Sequence, residues 1–139
     1  MPTITTNYKG DMLFETTIGR HKMTIDVPSS MGGKDRGPVP PEVFVASLGS
    51  CIGAFIAEYC KNTGINSEGL SVDLTFDKAD DPTRLVNLKA TVNLPKGDCS
   101  KRVTALERVA RHCPVHETIS TMQGLDVTIL GEGQCTMNP

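Results

Sequence analysis

An α+β domain is the fold class this sequence predicts, and three observations carry it. Short runs of β-branched and alternating residues lie on both sides of a long apolar stretch, which carries no charge from Val43 to Ala57. That stretch opens on Pro40-Pro41-Glu42 and contains Gly49 and Gly53, as a buried helix can. A second, amphipathic stretch closes at Cys113, where Pro114 breaks it. With 139 residues, one domain spanning 1–139 is expected.

Residues 4 to 27 read as strands, with Phe14 to Ile18 and His21 to Val27 flanking a turn at Gly19. The segment from Pro28 to Pro41 is dense in Gly and Pro and reads as a loop. Proline at the first helical position, with Glu42 in the first turn, starts a helix. It is predicted to run to about Asn62 and to end near Gly64. Because its surface is apolar nearly all round, this helix is expected to be buried. Two strands follow, Leu70 to Phe76 and Leu85 to Leu94, joined by a turn around Asp80-Asp81-Pro82. The alternation of Leu70, Val72, Leu74 and Phe76 gives the first of them one buried face.

Asp98 or Ser100 can cap a second helix whose stripe is Val103, Leu106, Val109, Ala110 and Cys113. Pro114 then opens a short third helix to about Met122. A last strand, Leu125 to Leu130, precedes a polar tail. The predicted order is β-β-α-β-β-α-α-β, without repeats.

Composition narrows the function classes. A formal net charge of -2 shows no basic surface for nucleic acid or anionic lipid. Trp is absent and aromatic residues are few, which argues against stacking on single-stranded nucleic acid. The N-terminus lacks a signal-peptide pattern, and the uncharged run falls short of the roughly 20 residues a membrane span needs. The expectation is a soluble, cytoplasmic chain with neither nucleic-acid nor membrane partners.

The five cysteines show no C-x-x-C and no zinc spacing, so each is either a buried hydrophobe or an active thiol. Cys51 lies in apolar helical surroundings with Ser47, Leu48, Ala54 and Phe55 on its face and Phe44 two turns back. As a reactive thiolate it needs a cation from elsewhere, and Arg20 and Arg36 are the candidates; otherwise it is a core cysteine. At Cys113, an N-cap position before Pro114 would let backbone N–H groups favour a thiolate; otherwise it completes the stripe of the second helix. Cys60, nine residues from Cys51, faces the opposite way. With Cys99 and Cys135 it is read as a spectator. His112, Cys113 and His116 raise a metal reading, but Pro114 breaks their register and no fourth ligand is evident. Neither metal nor cofactor is expected.

The motif Pro-x-Glu-x5-Leu-x2-Cys, from Pro40 to Cys51, is followed 62 positions later by Cys-Pro-Val. This pair resembles the OsmC/Ohr superfamily of osmotically inducible and organic hydroperoxide resistance proteins. The loop Gly32-Gly-Lys-Asp-Arg-Gly-Pro-Val-Pro-Pro-Glu looks like that of its OsmC-like branch. The resemblance spans about Tyr8 to Gly131. It implies an OsmC-like fold, with central helices packed between β-sheets in an intertwined homodimer and active sites at the subunit interface.

For activity it implies a Cys-based peroxidase that reduces organic hydroperoxides in oxidative stress defence. Cys51 would be the peroxidatic cysteine and Cys113 the resolving one, with electrons from a dithiol reductant. An arginine paired to a glutamate at the helix start would activate Cys51, and Phe44, Leu48 and Phe55 would form an apolar substrate wall. In the hydroperoxide resistance branch that glutamate directly follows proline, where this chain has Pro41, and Glu42 comes one residue later. Glu42 can equally serve only the helix N-terminus. Arg20 stands where the hydroperoxide resistance branch has its arginine, and Arg36 nearer that of the OsmC branch. The alternative reading is a non-peroxidase dimer that binds an apolar or electrophilic small molecule beside Cys51.

Overall fold

The structure, a computed structural model, describes residues 1–133 of the chain. Three antiparallel strands, β1 (Thr5–Gly10), β2 (Leu13–Ile18) and β3 (His21–Ile25), form one sheet in chain order. The sequence reading of strands over 4–27 resolves into this meander. Gly19, at φ 58°, opens the two-residue turn that sets Ile18 opposite His21, so Arg20 sits at the hairpin tip.

α1 runs over Pro40–Thr63 and stops at Gly64 in the left-handed conformation. Both ends follow from local chemistry. Two prolines fill positions whose N–H groups have no helical partner, and Gly64 takes a positive φ without Cβ strain. By length and composition α1 is apolar enough to cross a membrane. In this fold it packs instead against β4 (Ser71–Ala79), β5 (Arg84–Asn93), α2 (Val103–Arg111) and α3 (Pro114–Thr121). Strands β4 and β5 pair as a second antiparallel sheet.

The core lies on one stripe of α1. Leu48, Ile52, Ile56 and Cys60 recur every four residues and are buried together with Leu106 and Cys113. Cys51, Phe55 and Tyr59 form the adjacent row, partly buried against the same cluster. Gly49 and Gly53 let the β4 side chains approach: a Cβ at Gly49 would lie 2.8 Å from Leu74 Cδ2.

Three expectations are corrected. The helix is not buried all round in the single chain, since Phe44 is 45% exposed. The second helix begins at Val103, with Arg102 in the N-cap position. Asp98 instead turns on itself, its Oδ1 accepting from Ser100 N (3.1 Å) and Ser100 Oγ (2.7 Å), so neither residue caps α2. Residues 125–130 have no strand partner among the described residues, and Leu125 and Leu130 are each 81% exposed. An alternating segment becomes a strand only when a sheet edge receives it. Cys135 lies outside the described residues.

Candidate thiol site

Cys51 and Cys113 meet in the core. α1 carries Cys51 in its middle, half-buried. Cys113 is wholly buried and occupies the N-cap of α3, with extended backbone at φ -70° and ψ 143°. It therefore does not complete the stripe of α2, which ends two residues earlier at Arg111. Pro114 forces this arrangement: it denies the preceding residue a helical conformation and pre-sets its own φ for a new helix.

The Cys113 sulfur accepts the His116 backbone N–H at 3.4 Å, and its carbonyl accepts that of Glu117 at 3.0 Å. Burial pushes the Cys113 thiol up, the His116 and Val115 N–H groups pull it down, and the neighbouring Cys51 thiol raises it again. Cys51 packs against the buried cluster that holds Cys113, so the two thiols are neighbours although 62 positions separate them in the chain.

The arginines are elsewhere. Arg36 directs Nε to Asp26 Oδ2 (2.8 Å) and Nη2 to Asp26 Oδ1 (3.1 Å). Its Nη1 reaches Asp11 Oδ2 at 3.2 Å, and Nη2 also donates to the Asp11 carbonyl at 2.8 Å. Asp26, wholly buried, accepts further from Val27, Lys34 and Arg36 backbone N–H groups. The Arg36 guanidinium, followed by these N–H groups, holds its carboxyl well below the usual carboxylate range. Arg20, at the hairpin tip, is exposed. Among the described residues neither arginine forms an ion pair with Glu42. Glu42 Oε2 accepts the Val39 N–H at 3.3 Å, half of a capping box, so it serves the start of α1.

Among the described residues, Phe44 and Leu48 border different cavities. Leu48 borders a space of about 730 Å³ between α1, β5, α2 and α3, together with Cys99 and His116. Phe44 borders a second one of about 640 Å³ with Pro114, Val115 and Ile119 of α3. Phe55 packs into the core cluster beside Cys51. His116 Nδ1 is buried without a hydrogen-bond partner among the described residues. His112 Nδ1 lies 3.7 Å from Glu117 Oε1, and no three His, Cys, Asp or Glu side chains among those residues converge as a metal site.

Asp26 was not singled out by sequence. Its one local signal is a lone acid between Ile25 and Val27 at a strand end, where a carboxylate going into the interior must find a cation.

The family described as OsmC-like protein matches residues 32–129, more than half of the chain. A solved structure from Psychrobacter arcticus, described as a candidate osmotic-stress-induced and detoxification-response protein, superposes with a TM-score of 0.76 at 22% identity. That match covers 85% of this chain and 88% of the other. An OsmC-like protein from Mycoplasma pneumoniae gives 0.68 at 19% identity, covering 88% and 89%. The organic hydroperoxide resistance protein OhrB of Bacillus subtilis gives 0.60 at 19%, covering 88% and 92%. No curated protein matches the chain significantly in sequence.

Proposed function

The chain belongs to the OsmC-like protein family, and from that premise we propose that it is a cytoplasmic, homodimeric thiol peroxidase that reduces organic hydroperoxides. The contact between the half-buried Cys51 and the wholly buried Cys113 is the observation that carries the reading. An accessible thiol beside a sequestered one suits an attacker and a resolver. The Cys51 thiolate attacks the O–O bond, takes the terminal oxygen as a sulfenic acid, and releases the alcohol after protonation. The Cys113 thiol then displaces that oxygen as water and forms the Cys51–Cys113 disulfide. An external dithiol returns both to thiols by exchange.

Leu48 and Phe55 pack in the same cluster as Cys51, which supports an organic substrate over the small, polar hydrogen peroxide. The Bacillus subtilis neighbour is an organic hydroperoxide resistance protein, in keeping with that class. Arg36 is held by Asp26 and Asp11, so the activating cation in this reading crosses the dimer interface. Arg20, exposed at the tip of its hairpin, is the arginine available for it. The unpaired segment 125–130 and the exposed meander give the homodimer its surfaces.

A non-peroxidase dimer that binds an apolar or electrophilic molecule beside Cys51 is favoured by one observation: Arg36 and Glu42 are both engaged away from the thiol. Consumption of cumene hydroperoxide and hydrogen peroxide, measured in parallel with dithiothreitol, separates the two readings. The peroxidase consumes cumene hydroperoxide faster and loses that activity in Cys51→Ser. Turnover equal to the buffer rate, or unchanged in Cys51→Ser, rejects it.

A further inference from the structure

Cys60 and Cys99 are two further free thiols at the same core cluster. Cys60 ends the buried stripe of α1 and is wholly buried. Cys99 lies in the connection between β5 and α2, half-buried against the same core cluster. Nothing in their spacing pairs them, and the rotation of α1 only keeps Cys60 away from Cys51.

The fold brings their segments together, through contacts of the residues beside them. Arg102 Nη1 donates to Tyr59 Oη at 3.3 Å, joining the neighbour of Cys60 to the start of α2. The backbone N–H of Arg102 in turn donates to the Cys99 carbonyl at 2.9 Å. Gly97 lies so close to the chain leaving α1 that a Cβ there would meet Asn66 O at 2.8 Å and Ile65 Cγ2 at 2.9 Å. The end of α1 and the segment 97–102 are thus held against each other, with Cys60 in the buried cluster and Cys99 packed against it. Burial pushes the Cys60 thiol up, and negative charge on the nearby Cys99 raises it further.

We propose that Cys60 and Cys99 are a second dithiol site, which reduces a small aliphatic disulfide and closes into a disulfide clamping the end of α1 to the segment that leads into α2. The half-buried Cys99 thiolate attacks one sulfur of the small disulfide and forms a mixed disulfide. The first small thiolate leaves with the bonding pair and takes up a proton. Cys60 then gives its proton to solvent base and attacks the Cys99 sulfur. The second small thiolate is expelled, and the Cys60–Cys99 bond forms. Two protein thiols are oxidised and one external disulfide becomes two thiols. Because Cys51 lies on α1 and α2 leads to Cys113 at the start of α3, the clamp restrains elements on both sides of the other thiol pair. This site does not depend on peroxide chemistry at Cys51.

The test uses the full chain as Cys51→Ser/Cys113→Ser, incubated with oxidised glutathione at pH 7 and pH 8, quenched with acid and digested with trypsin. Cys60 then lies in peptide 37–61, Cys99 in 97–101 and Cys135 in 112–139, each as the only cysteine. The expected product joins 37–61 to 97–101 and is absent in the triple variant that adds Cys99→Ser. Ring closure needs an ionised Cys60, so it is expected to be about tenfold faster at pH 8, since thiolate rises tenfold per pH unit below the pKa. A stable glutathione adduct on Cys99 with Cys60 free at both pH values overturns the proposal, as does a bridge from Cys99 to Cys135. If the double variant does not fold, the unaltered chain cleaved after Glu58 separates Cys51 from Cys60 and gives the same reading.

Discussion

Asp26 holds Arg36 by two side-chain hydrogen bonds, Nε to Oδ2 at 2.8 Å and Nη2 to Oδ1 at 3.1 Å, and the carboxylate is wholly buried. Its folded pKa lies well below the ordinary value of 3.8. The unfolded chain therefore binds a proton there first as the pH falls, and the stabilisation, complete above the ordinary value, is lost on approach to the folded one. Urea unfolding at pH 7 and at pH 2.5 is expected to show that loss. In Asp26→Asn the midpoint at pH 7 is expected to fall and its acid dependence to flatten. An unchanged acid dependence in the variant would assign it to other carboxylates.

Glu42 caps α1 through the Val39 N–H, so its role is tested by separating stability from turnover. Glu42→Ala is expected to cost about 0.5–1 kcal/mol, the usual scale of a helix cap. Glu42→Gln keeps an acceptor oxygen and is expected to cost less, with hydroperoxide consumption near that of the unaltered chain. Loss of turnover in Glu42→Gln, with stability retained, would place Glu42 in the activation of Cys51.

Gly49 and Gly53 face β4 at different clearances. A Cβ at Gly53 meets Val72 Cγ2 at an ordinary 3.5 Å, whereas one at Gly49 meets Leu74 Cδ2 at 2.8 Å. Alanine in a helix interior is favoured over glycine by about 0.5–1 kcal/mol. Thermal unfolding is expected to show that gain for Gly53→Ala. For Gly49→Ala part or all of it is offset, because Leu74 must turn aside. The reverse order would mean that β4 sits on α1 differently in solution.

Cys113→Ser isolates the first chemical step. With the resolver absent, one equivalent of cumene hydroperoxide is expected to leave a sulfenic acid on Cys51, read as a dimedone adduct by mass spectrometry. A dimedone adduct on Cys60 or Cys99 in place of Cys51 would move the attacking thiol.

Local chemistry made much of this fold legible. Pro40, Pro41, Glu42 and Gly64 mark the ends of α1 because caps act within a turn, and Pro114 marks α3 for the same reason. The start of α2 misled: Asp98 and Ser100 satisfy each other before they can reach a helix. Residues 125–130 have strand periodicity, but pairing depends on an edge that no local pattern supplies. Whether Cys51 and Cys113 lie close together is not legible in the sequence, since apolar helix faces say what is buried and not which thiols touch. The capture of Arg36 by Asp26 was not foreseen, because an ion pair across ten positions and a loop has no periodicity to read.

The central claim is that Cys51 and Cys113 act as one redox pair, and its most direct measurement is peptide mapping of the unaltered chain after one equivalent of cumene hydroperoxide. The expected result is a single intramolecular disulfide joining the Cys51 peptide to the Cys113 peptide, reversed by dithiothreitol. Recovery of both cysteines as free thiols, with the hydroperoxide unconsumed, would contradict it.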